Sequence, residues 1–168
     1  MIVIADTSPF IGLLKIGCVD VLPKLYQTVI IPTQVAKELF DSHRPPIVQT
    51  FISKPPIWLS IKTPSSLESI PGIDEGELAA ISLAQELSAN LLLMDETRGR
   101  EVALARNIPT VRTAAVLVEA ANAGLINLKE AFDKIRATNF RVPVEALEAL
   151  LKKHDDFMRN KDRGPILH

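Results

Sequence analysis

The 168-residue sequence has few of the residues on which several kinds of binding site depend. It contains one cysteine, Cys18, which excludes an intramolecular disulfide and a cysteine-rich zinc site. Its three histidines, which are His43, His154 and His168, do not have the spacing of metal ligands. The 19 basic and 20 acidic residues give a net charge of −1, so any nucleic-acid surface must be a local one.

Long apolar runs and glycine-rich loops are also missing. No apolar run approaches the roughly 18 to 20 residues that span a bilayer, and the first residues lack the basic segment and cleavage pattern of a secretion signal. We therefore expect a cytoplasmic protein with no membrane segment. The first predicted turn, ADTSPFIG, has no glycine before Gly12, which excludes a dinucleotide-binding loop, and no Walker-type phosphate loop is present.

What the sequence does contain is an alternation of short apolar runs with helical patterns. The predicted strands are Met1–Ala5, Thr28–Ile31, Ile57–Ile61, Leu91–Met94 and, more weakly, Thr110–Arg112. Between them lie segments with the spacing of amphipathic helices, the strongest being IDEGELAAISLAQELSAN. This alternation predicts an α/β protein with three layers, α/β/α, and a mainly parallel, roughly five-stranded sheet.

Three local features carry further expectations. Ser8 is a candidate N-cap, with Pro9 at the first position of the helix that follows. The proline-rich stretch 44–64 is expected to be an irregular connection around one strand. We expect residues 1–154 to form a single domain that includes the C-terminal helices, and residues 155–168 to be a charged, mobile tail.

Acidic residues at strand ends and near helix starts are the candidate functional residues. They are Asp6, Glu38, Glu77 and Asp95. Two of them directly follow predicted strands, and neighbouring parallel strands bring their carboxyl ends together at one edge of the sheet. Carboxylates gathered there repel one another, and a divalent cation relieves the repulsion. Because the ligands are oxygens alone, the pattern favours Mg²⁺ or Mn²⁺ over zinc.

Each acidic residue also has a purely structural interpretation. Asp6 is equally well placed to cap the helix that follows it, and Glu38 is typical of a solvated helix surface. Glu77 complements a helix dipole, and Asp95 opens the sequence DETR, which is also a good helix start. The functional interpretation therefore depends on the four residues together.

The segments ADTSP, PTQVAKEL, DEGELAAISLA and LLLMDETRGREVALA follow one another in an order and spacing that resemble the PIN domain superfamily, close to its VapC-like prokaryotic branch. The resemblance covers residues 1–124. It implies metal-dependent cleavage of RNA, with Mg²⁺ or Mn²⁺ held by an acidic quartet. By this resemblance the quartet is Asp6, Glu38, Glu77 and Asp95. Thr7 or Ser8 would supply an auxiliary hydroxyl group.

Two positions depart from the common PIN pattern. The third acid is usually an aspartate but is Glu77 here, and the hydroxyl residue common two places before the fourth acid is replaced by Leu93. Glu96 is an alternative or an auxiliary to the fourth acid. Asp74 and Glu75 are alternatives to the third.

The implied reaction is hydrolysis of RNA phosphodiesters that leaves a 5′-phosphate and a 3′-hydroxyl. Because phosphate binding needs positive charge near the cleft even when the net charge is small, we expect RNA contacts from basic residues close to these motifs. They are Arg98, Arg100, Arg112 and Lys15.

The resemblance also implies partners. VapC-like proteins are commonly toxins neutralised by a small antitoxin, and they commonly form dimers, so a cognate antitoxin and a homodimer are expected. The apolar segments TAAVLVEAANAG and VEALEALLKK are candidates for a dimer face. One alternative function is a catalytically weakened PIN-like module that binds RNA or a protein. A metal-dependent phosphatase of another α/β family is disfavoured, because Ser8 stands where a second aspartate would be needed.

Overall fold

The structure is a computed structural model that describes residues 1–164. Within them lies a sheet of five parallel strands in the order β3-β2-β1-β4-β5. The strands are β1 Val3–Ala5, β2 Val29–Pro32, β3 Leu59–Lys62, β4 Leu91–Leu93 and β5 Thr110–Val111. All five predicted strands are present, and each of their ends lies within two residues of the prediction. The predicted α/β class and parallel sheet are confirmed.

Helices cover both faces of the sheet. In chain order the helices of the described residues are α1 Thr7–Lys15, α2 Val21–Tyr26, α3 Thr33–Phe40, α4 Pro46–Ser53, α5 Glu75–Glu86, α6 Thr97–Ala105, α7 Thr113–Asn122, α8 Leu128–Arg136 and α9 Val144–Asp162. No helix within the described part of the chain combines the length and apolar character needed to cross a membrane.

The central strand β1 sets the register of the sheet. Ile4 pairs with Ile30 of β2, and Ala5 pairs with Leu93 of β4. The pairing continues one step past the end of β1, where the backbone N–H of Asp6 donates to the carbonyl of Leu93 at 3.0 Å. Asp6 therefore lies at the carboxyl edge of the sheet, directly after β1, and Asp95 lies two residues after the end of the neighbouring strand β4.

The core explains why β1 has no polar residue. Val3, Ile4 and Ala5 are fully buried, as expected for a central strand that is covered on both faces. Against it pack apolar residues of α5, β4 and α6, which include Ile81, Leu92 and Ala103, together with Met94 directly after β4. A second apolar contact, with ring centroids 5.8 to 6.4 Å apart, joins α1, α4 and the segment before β3 through Phe10, Phe51 and Trp58.

We expected the proline-rich stretch 44–64 to be an irregular connection around one strand. It also contains a helix, α4. Pro45 occupies the N-cap position and Pro46 the first turn, where a proline removes no intrahelical hydrogen bond. Val48 and Ile52, four residues apart, bury the inner face of the helix. The two prolines thus begin a helix, and the apolar spacing of the residues after them is helical.

The expected cap of α1 was also wrong by two residues. Helix α1 begins at Thr7, and the N-cap position belongs to Asp6, whose backbone is extended (φ −83°, ψ 176°). Ser8 and Pro9 lie inside the first turn, where the proline is tolerated because the first backbone N–H groups have no intrahelical acceptor.

The chain divides into two compact units, Met1–Thr113 and the part that begins at Ala114. In the second unit, α9 runs through Asp162, so the boundary expected after residue 154 falls inside a helix and residues 155–162 are helical. Phe157 and Met158 continue the helical spacing of Leu147, Leu151 and His154, which explains why α9 does not stop there. Residues 165–168 of the expected tail lie outside the described residues.

Candidate functional site

Asp6 is the most buried acidic residue of the candidate set. Its side chain is 3% exposed, and it makes no side-chain hydrogen bond that caps α1. Burial raises the pKa of Asp6 to about 8, and the nearby charges of Glu38, Glu77 and Asp74 add to the rise, which the Thr7 backbone N–H partly offsets. Asp6 is therefore a buried carboxyl group that other carboxylates surround, and not a simple helix cap.

Glu38 lies on α3, and its charge acts on Asp6. It is half-buried, and the hydroxyl of Thr7 donates a hydrogen bond to its Oε2. Its carboxylate lies against Gly76 in the first turn of α5: a Cβ placed on Gly76 would meet Glu38 Cδ at 2.7 Å and Oε2 at 2.9 Å. Burial raises the pKa of Glu38, and the Thr7 hydrogen bond opposes the rise. The solvated-surface interpretation of Glu38 does not match this environment.

Glu77 is held at the start of α5 by a capping box with Asp74. The Glu77 backbone N–H donates to Asp74 Oδ1 at 2.8 Å, and the Asp74 backbone N–H donates to Glu77 Oε2 at 3.4 Å. Burial and the neighbouring charges of Asp74 and Glu96 raise the pKa of Glu77 to about 7. Glu77 thus has a structural task at the helix start and is also a member of the acidic cluster.

Asp95 has a different set of neighbours. Thr113, the first residue of α7, donates to it twice: from its backbone N–H to Oδ1 at 2.9 Å, and from its hydroxyl to Oδ2 at 2.7 Å. Burial raises the pKa of Asp95, while the hydrogen bonds of Thr113 and the charges of Arg112 and Arg100 oppose the rise. Asp95 therefore lies in a more cationic environment than the other three acids.

The four predicted acids thus fall into two groups at the carboxyl edge. Asp6, Glu38 and Glu77 interact electrostatically as one acidic cluster, and Asp95 is fixed to Thr113 beside two arginines. The proposed alternatives also border the cluster: Asp74 and Glu75 raise the pKa of Glu38, and Glu96 raises that of Glu77. Asp74, Glu75 and Glu96 are exposed, whereas Asp6 and Glu77 are buried.

The donor set fits a hard divalent cation in its chemistry. All of its ligating atoms are oxygens, and an added positive charge would favour the ionised forms of Asp6 and Glu77, whose pKa values are raised by burial and by neighbouring carboxylates. In residues 1–164, however, no three His, Cys, Asp or Glu side chains form a group that could hold a metal ion as they stand. The carboxylates are instead engaged by Thr7, Thr113 and the capping box, so an ion would have to share them with these donors.

The four basic residues predicted to contact RNA occupy different places. Arg100 on α6 and Arg112 after β5 both act electrostatically on Asp95, and Arg100 has a buried Nε without a hydrogen-bond partner. Arg98 lies in the first turn of α6 close to the loop at Gly72. Lys15 lies in the last turn of α1, about 12 Å along that helix from Thr7 at its start.

Ser8, the other auxiliary hydroxyl candidate, is half-buried in the first turn of α1. Of the two auxiliary candidates, Thr7 is the one whose hydroxyl donates a hydrogen bond to an acid of the predicted quartet, Glu38.

Two residues of the site were missed by the sequence reasoning. Thr113 directly follows a short predicted strand and opens a helix, so the argument that selected Asp6 would also have selected it. Gly76 lies within the acidic motif DEGEL, and a glycine in the first turn of a strong helix signals close approach by another group. Both residues act on a carboxylate that is distant in the sequence.

The protein has a parallel sheet, and buried carboxyl groups lie at the edge where its strands end. It therefore belongs to the class of α/β proteins whose polar site lies at the carboxyl ends of the strands. Within that class, residues 2–156 match a family model described as DUF3368, a PIN domain, and the chain belongs to this family. PIN domains are typically nucleases that use divalent metal ions.

Comparison with solved structures agrees on the fold. The chain is similar to a PilT N-terminus domain protein, SSO1118, from the hyperthermophilic archaeon Sulfolobus solfataricus P2. The TM-score is 0.55 at 18% sequence identity, and the match covers 71% of this chain and 93% of that protein. No curated protein matches the chain.

Proposed function

We propose that the protein is a metal-dependent endoribonuclease of the PIN/VapC type, and that it is the toxin of a toxin–antitoxin pair. The observation that carries the proposal is the cluster of Asp6, Glu38 and Glu77 at the carboxyl edge of the sheet, where burial and like charge raise all three pKa values. Such a cluster opposes folding when its carboxylates are ionised and no cation occupies it, and perturbed acids of this kind are typical of functional sites.

The acidic residues would act as ligands. Asp6, Glu77 and Asp95 would hold Mg²⁺ or Mn²⁺, with Glu38 nearby or through water. A bound divalent ion supplies a water of lowered pKa and stabilises the charge that develops on a phosphodiester during in-line displacement. Thr7 would fix Glu38 through its hydroxyl, and the products would carry a 5′-phosphate and a 3′-hydroxyl.

The RNA would be held next to the acids by local positive charge. Arg100 and Arg112 are the best placed of the predicted contacts, because both lie beside Asp95 and neither forms an ion pair within 4.0 Å among the described residues. Arg98 would extend this surface towards the loop before α5, and Lys15 would contribute less because it lies at the far end of α1.

Cleavage of a labelled RNA with single-stranded and paired regions tests the proposal. The wild type, Asp6→Asn and Asp95→Asn are compared in Mg²⁺, Mn²⁺ and EDTA, with Asp133→Asn on the exposed face of α8 as the matched control. We expect cutting by the wild type and by Asp133→Asn in either metal, and none in EDTA or by the two site variants. Cutting that persists in EDTA, or in Asp6→Asn, would refute a metal-dependent site at this edge.

A second candidate function is a PIN-like module that docks RNA or a protein without cleaving it. The observation that favours it is that Glu77 and Asp95 are already engaged, by the capping box and by Thr113, and that no metal-holding group is formed among residues 1–164. This module would bind RNA equally well with and without EDTA, and Asp6→Asn would leave its affinity unchanged. A gel-shift assay beside the cleavage assay separates the two functions.

We further propose a cognate antitoxin and a homodimer as partners. Of the two segments suggested for a dimer face, α7 includes the fully buried residues Val116, Leu117 and Ala120, so its apolar side is already covered within the chain. Helix α9 buries Leu147 and leaves Phe157 44% exposed, which makes it the better candidate. Gel filtration with light scattering at micromolar concentration tests the dimer, and a mass equal to one chain would refute it.

A further inference from the structure

We infer that Thr113 is a positioning residue for the nuclease reaction, which acts by fixing the carboxylate of Asp95 at the edge of the sheet. This inference rests on the proposed function and adds to it a residue that lies outside the acidic quartet. Two donors of one residue engage both oxygens of one carboxylate, at 2.9 Å from the backbone N–H and 2.7 Å from the hydroxyl.

The geometry leaves Asp95 little freedom. A carboxylate held through one oxygen can rotate about its last side-chain bond, whereas a carboxylate held through both oxygens by a single residue cannot do so without losing a hydrogen bond. The anchor is itself rigid, because Thr113 is 1% exposed and its backbone N–H belongs to the first turn of α7. The carboxylate of Asp95 is therefore oriented by the start of a helix.

The start of α7 does not by itself require this arrangement. The first N–H groups of a helix need an acceptor, and one oxygen of Asp95 meets that need for Thr113. The bond from the Thr113 hydroxyl to the other oxygen is an additional one, since a hydroxyl at this position is not part of the helix. A carboxylate that binds a metal ion or faces a substrate is commonly oriented by a hydrogen bond from a residue behind it, and the Thr113 hydroxyl supplies such a bond to Asp95.

The sequence provides a matched control three residues away. Thr110 on β5 has a buried hydroxyl without a hydrogen-bond partner. Replacement of either threonine by valine preserves the shape and removes one hydroxyl, but only at Thr113 does the loss remove a bond to an acid of the site. Thr113→Ser keeps both the hydroxyl and the backbone N–H, and so serves as the rescue variant.

The test compares these variants of the full chain in two assays, Mn²⁺ binding by calorimetry and steady-state cleavage of labelled RNA. We expect Thr113→Val to lower both the Mn²⁺ affinity and kcat by roughly 10- to 100-fold, the usual effect of losing an outer partner of a metal ligand, with little change in KM. Thr113→Ser should recover most of the loss, and Thr110→Val should match the wild type. In an Asp95→Asn background, Thr113→Val should have no further effect on Mn²⁺ affinity.

Two outcomes would overturn the inference, and they are distinguishable. If the wild type binds Mn²⁺ and cuts RNA while Thr113→Val equals it in both assays, Thr113 only caps α7 and the proposed function stands. If the wild type neither binds Mn²⁺ nor cuts RNA, the proposed function fails and the role of Thr113 fails with it. Circular dichroism of Thr113→Val shows whether the variant is folded. If it is not, Thr113→Ala takes its place in both assays, because it removes the same hydroxyl bond to Asp95, and wild-type Mn²⁺ affinity in that variant would overturn the inference.

Discussion

The carboxylate of Glu38 lies against the backbone of Gly76, in the space that a Cβ of residue 76 would occupy. The contact joins the second turn of α3 to the first turn of α5, and it places Glu38 next to the turn that holds Glu77. A glycine within a helix makes the helix less stable than an alanine would. The close approach of Glu38 explains why a glycine is present at this position, since it leaves no room for a Cβ.

Gly76→Ala should therefore separate stability from activity. The new Cβ would push the Glu38 carboxylate away, since a side-chain end moves more easily than a helix backbone. We expect the free energy of unfolding to change by less than about 1 kcal/mol, because the gain in helix propensity is offset by loss of the Thr7 hydrogen bond to the displaced Glu38 carboxylate. We expect kcat/KM for RNA cleavage to fall by about tenfold or more. Urea denaturation and the cleavage assay measure the two effects.

The control for this prediction is the same change in a Glu38→Gln background. If Gly76→Ala acts through Glu38, the double variant should cleave RNA no more slowly than Glu38→Gln alone. Independent, additive losses would show that Gly76 affects the site by another route.

The hydroxyl of Thr7 should matter through the same carboxylate. Thr7→Val removes the hydrogen bond to Glu38 Oε2 in a buried place, and we expect a loss of about 1 to 2 kcal/mol in the free energy of unfolding together with slower cleavage. Thr7→Ser keeps the hydroxyl and should lose much less of both. Equal stability of the valine and serine variants would contradict a structural role for this hydrogen bond.

The pH dependence of stability has a predictable sign. The folded-state pKa of Asp6 is raised from 3.8 to about 8, so between these values the folded protein binds a proton that the unfolded chain has released. The contribution of Asp6 to stability is therefore fully present below about pH 4 and is lost as the pH rises towards 8. Glu77, with its pKa raised from 4.5 to about 7, acts in the same direction.

Asp6→Asn measures this contribution directly, because the amide cannot ionise. In EDTA, we expect the variant to gain on the wild type in free energy of unfolding between pH 5 and pH 8, by up to about 1.4 kcal/mol for each pH unit. Urea unfolding at several pH values supplies the comparison, with Asp133→Asn as the control. A difference between Asp6→Asn and wild type that does not change with pH would show that the carboxyl of Asp6 does not titrate in this range.

Divalent ions should stabilise the wild type most where the acids are ionised. Protons and cations compete for the same carboxylates, so the rise in melting temperature on adding Mn²⁺ should be larger at pH 8 than at pH 5.5. The rise should disappear in Asp6→Asn. Thermal unfolding followed by circular dichroism tests this, and an equal rise at both pH values would place the ion elsewhere on the molecule.

The two arginines beside Asp95 should contribute to RNA affinity through charge. Arg100→Gln and Arg112→Gln should each weaken RNA binding and reduce the slope of log K against log salt by roughly 0.7, as for one phosphate contact of a single strand. Arg106→Gln is the control, because that guanidinium already bonds to Gln85 and Glu68. If all three variants lose affinity equally, the arginines near Asp95 act only through net charge.

Much of the fold could be predicted because its signals are local. Buried strands such as Val3–Ala5 appear as short apolar runs, and helices such as α5 show the spacing of apolar residues on one face. The errors were also local. The prolines at the start of α4 made a helix look like an irregular segment. Ser8 and Pro9 have the sequence of an N-cap and a first helical residue, but the N-cap of α1 is Asp6, whose backbone is extended.

The candidate site was only partly predictable, because sequence position does not specify partners. The acids were found from their place after strands and at helix starts, but nothing in the spacing pairs Asp95 with Thr113 or Glu38 with Gly76. Those pairs depend on the angle at which each helix packs on the sheet, and on which side chains meet there.

By itself, the sequence determined the class of the fold, the carboxyl edge as the place of the acidic residues, and the absence of cysteine and histidine ligand patterns. The first two features follow from the periodicity of apolar residues, which each segment shows by itself, and the third follows from composition. The tertiary structure decided which acids form one buried cluster, which donors hold them, and how far their pKa values rise. Those properties arise from contacts between segments that are distant in the chain, where desolvation and like charge depend on packing and not on composition.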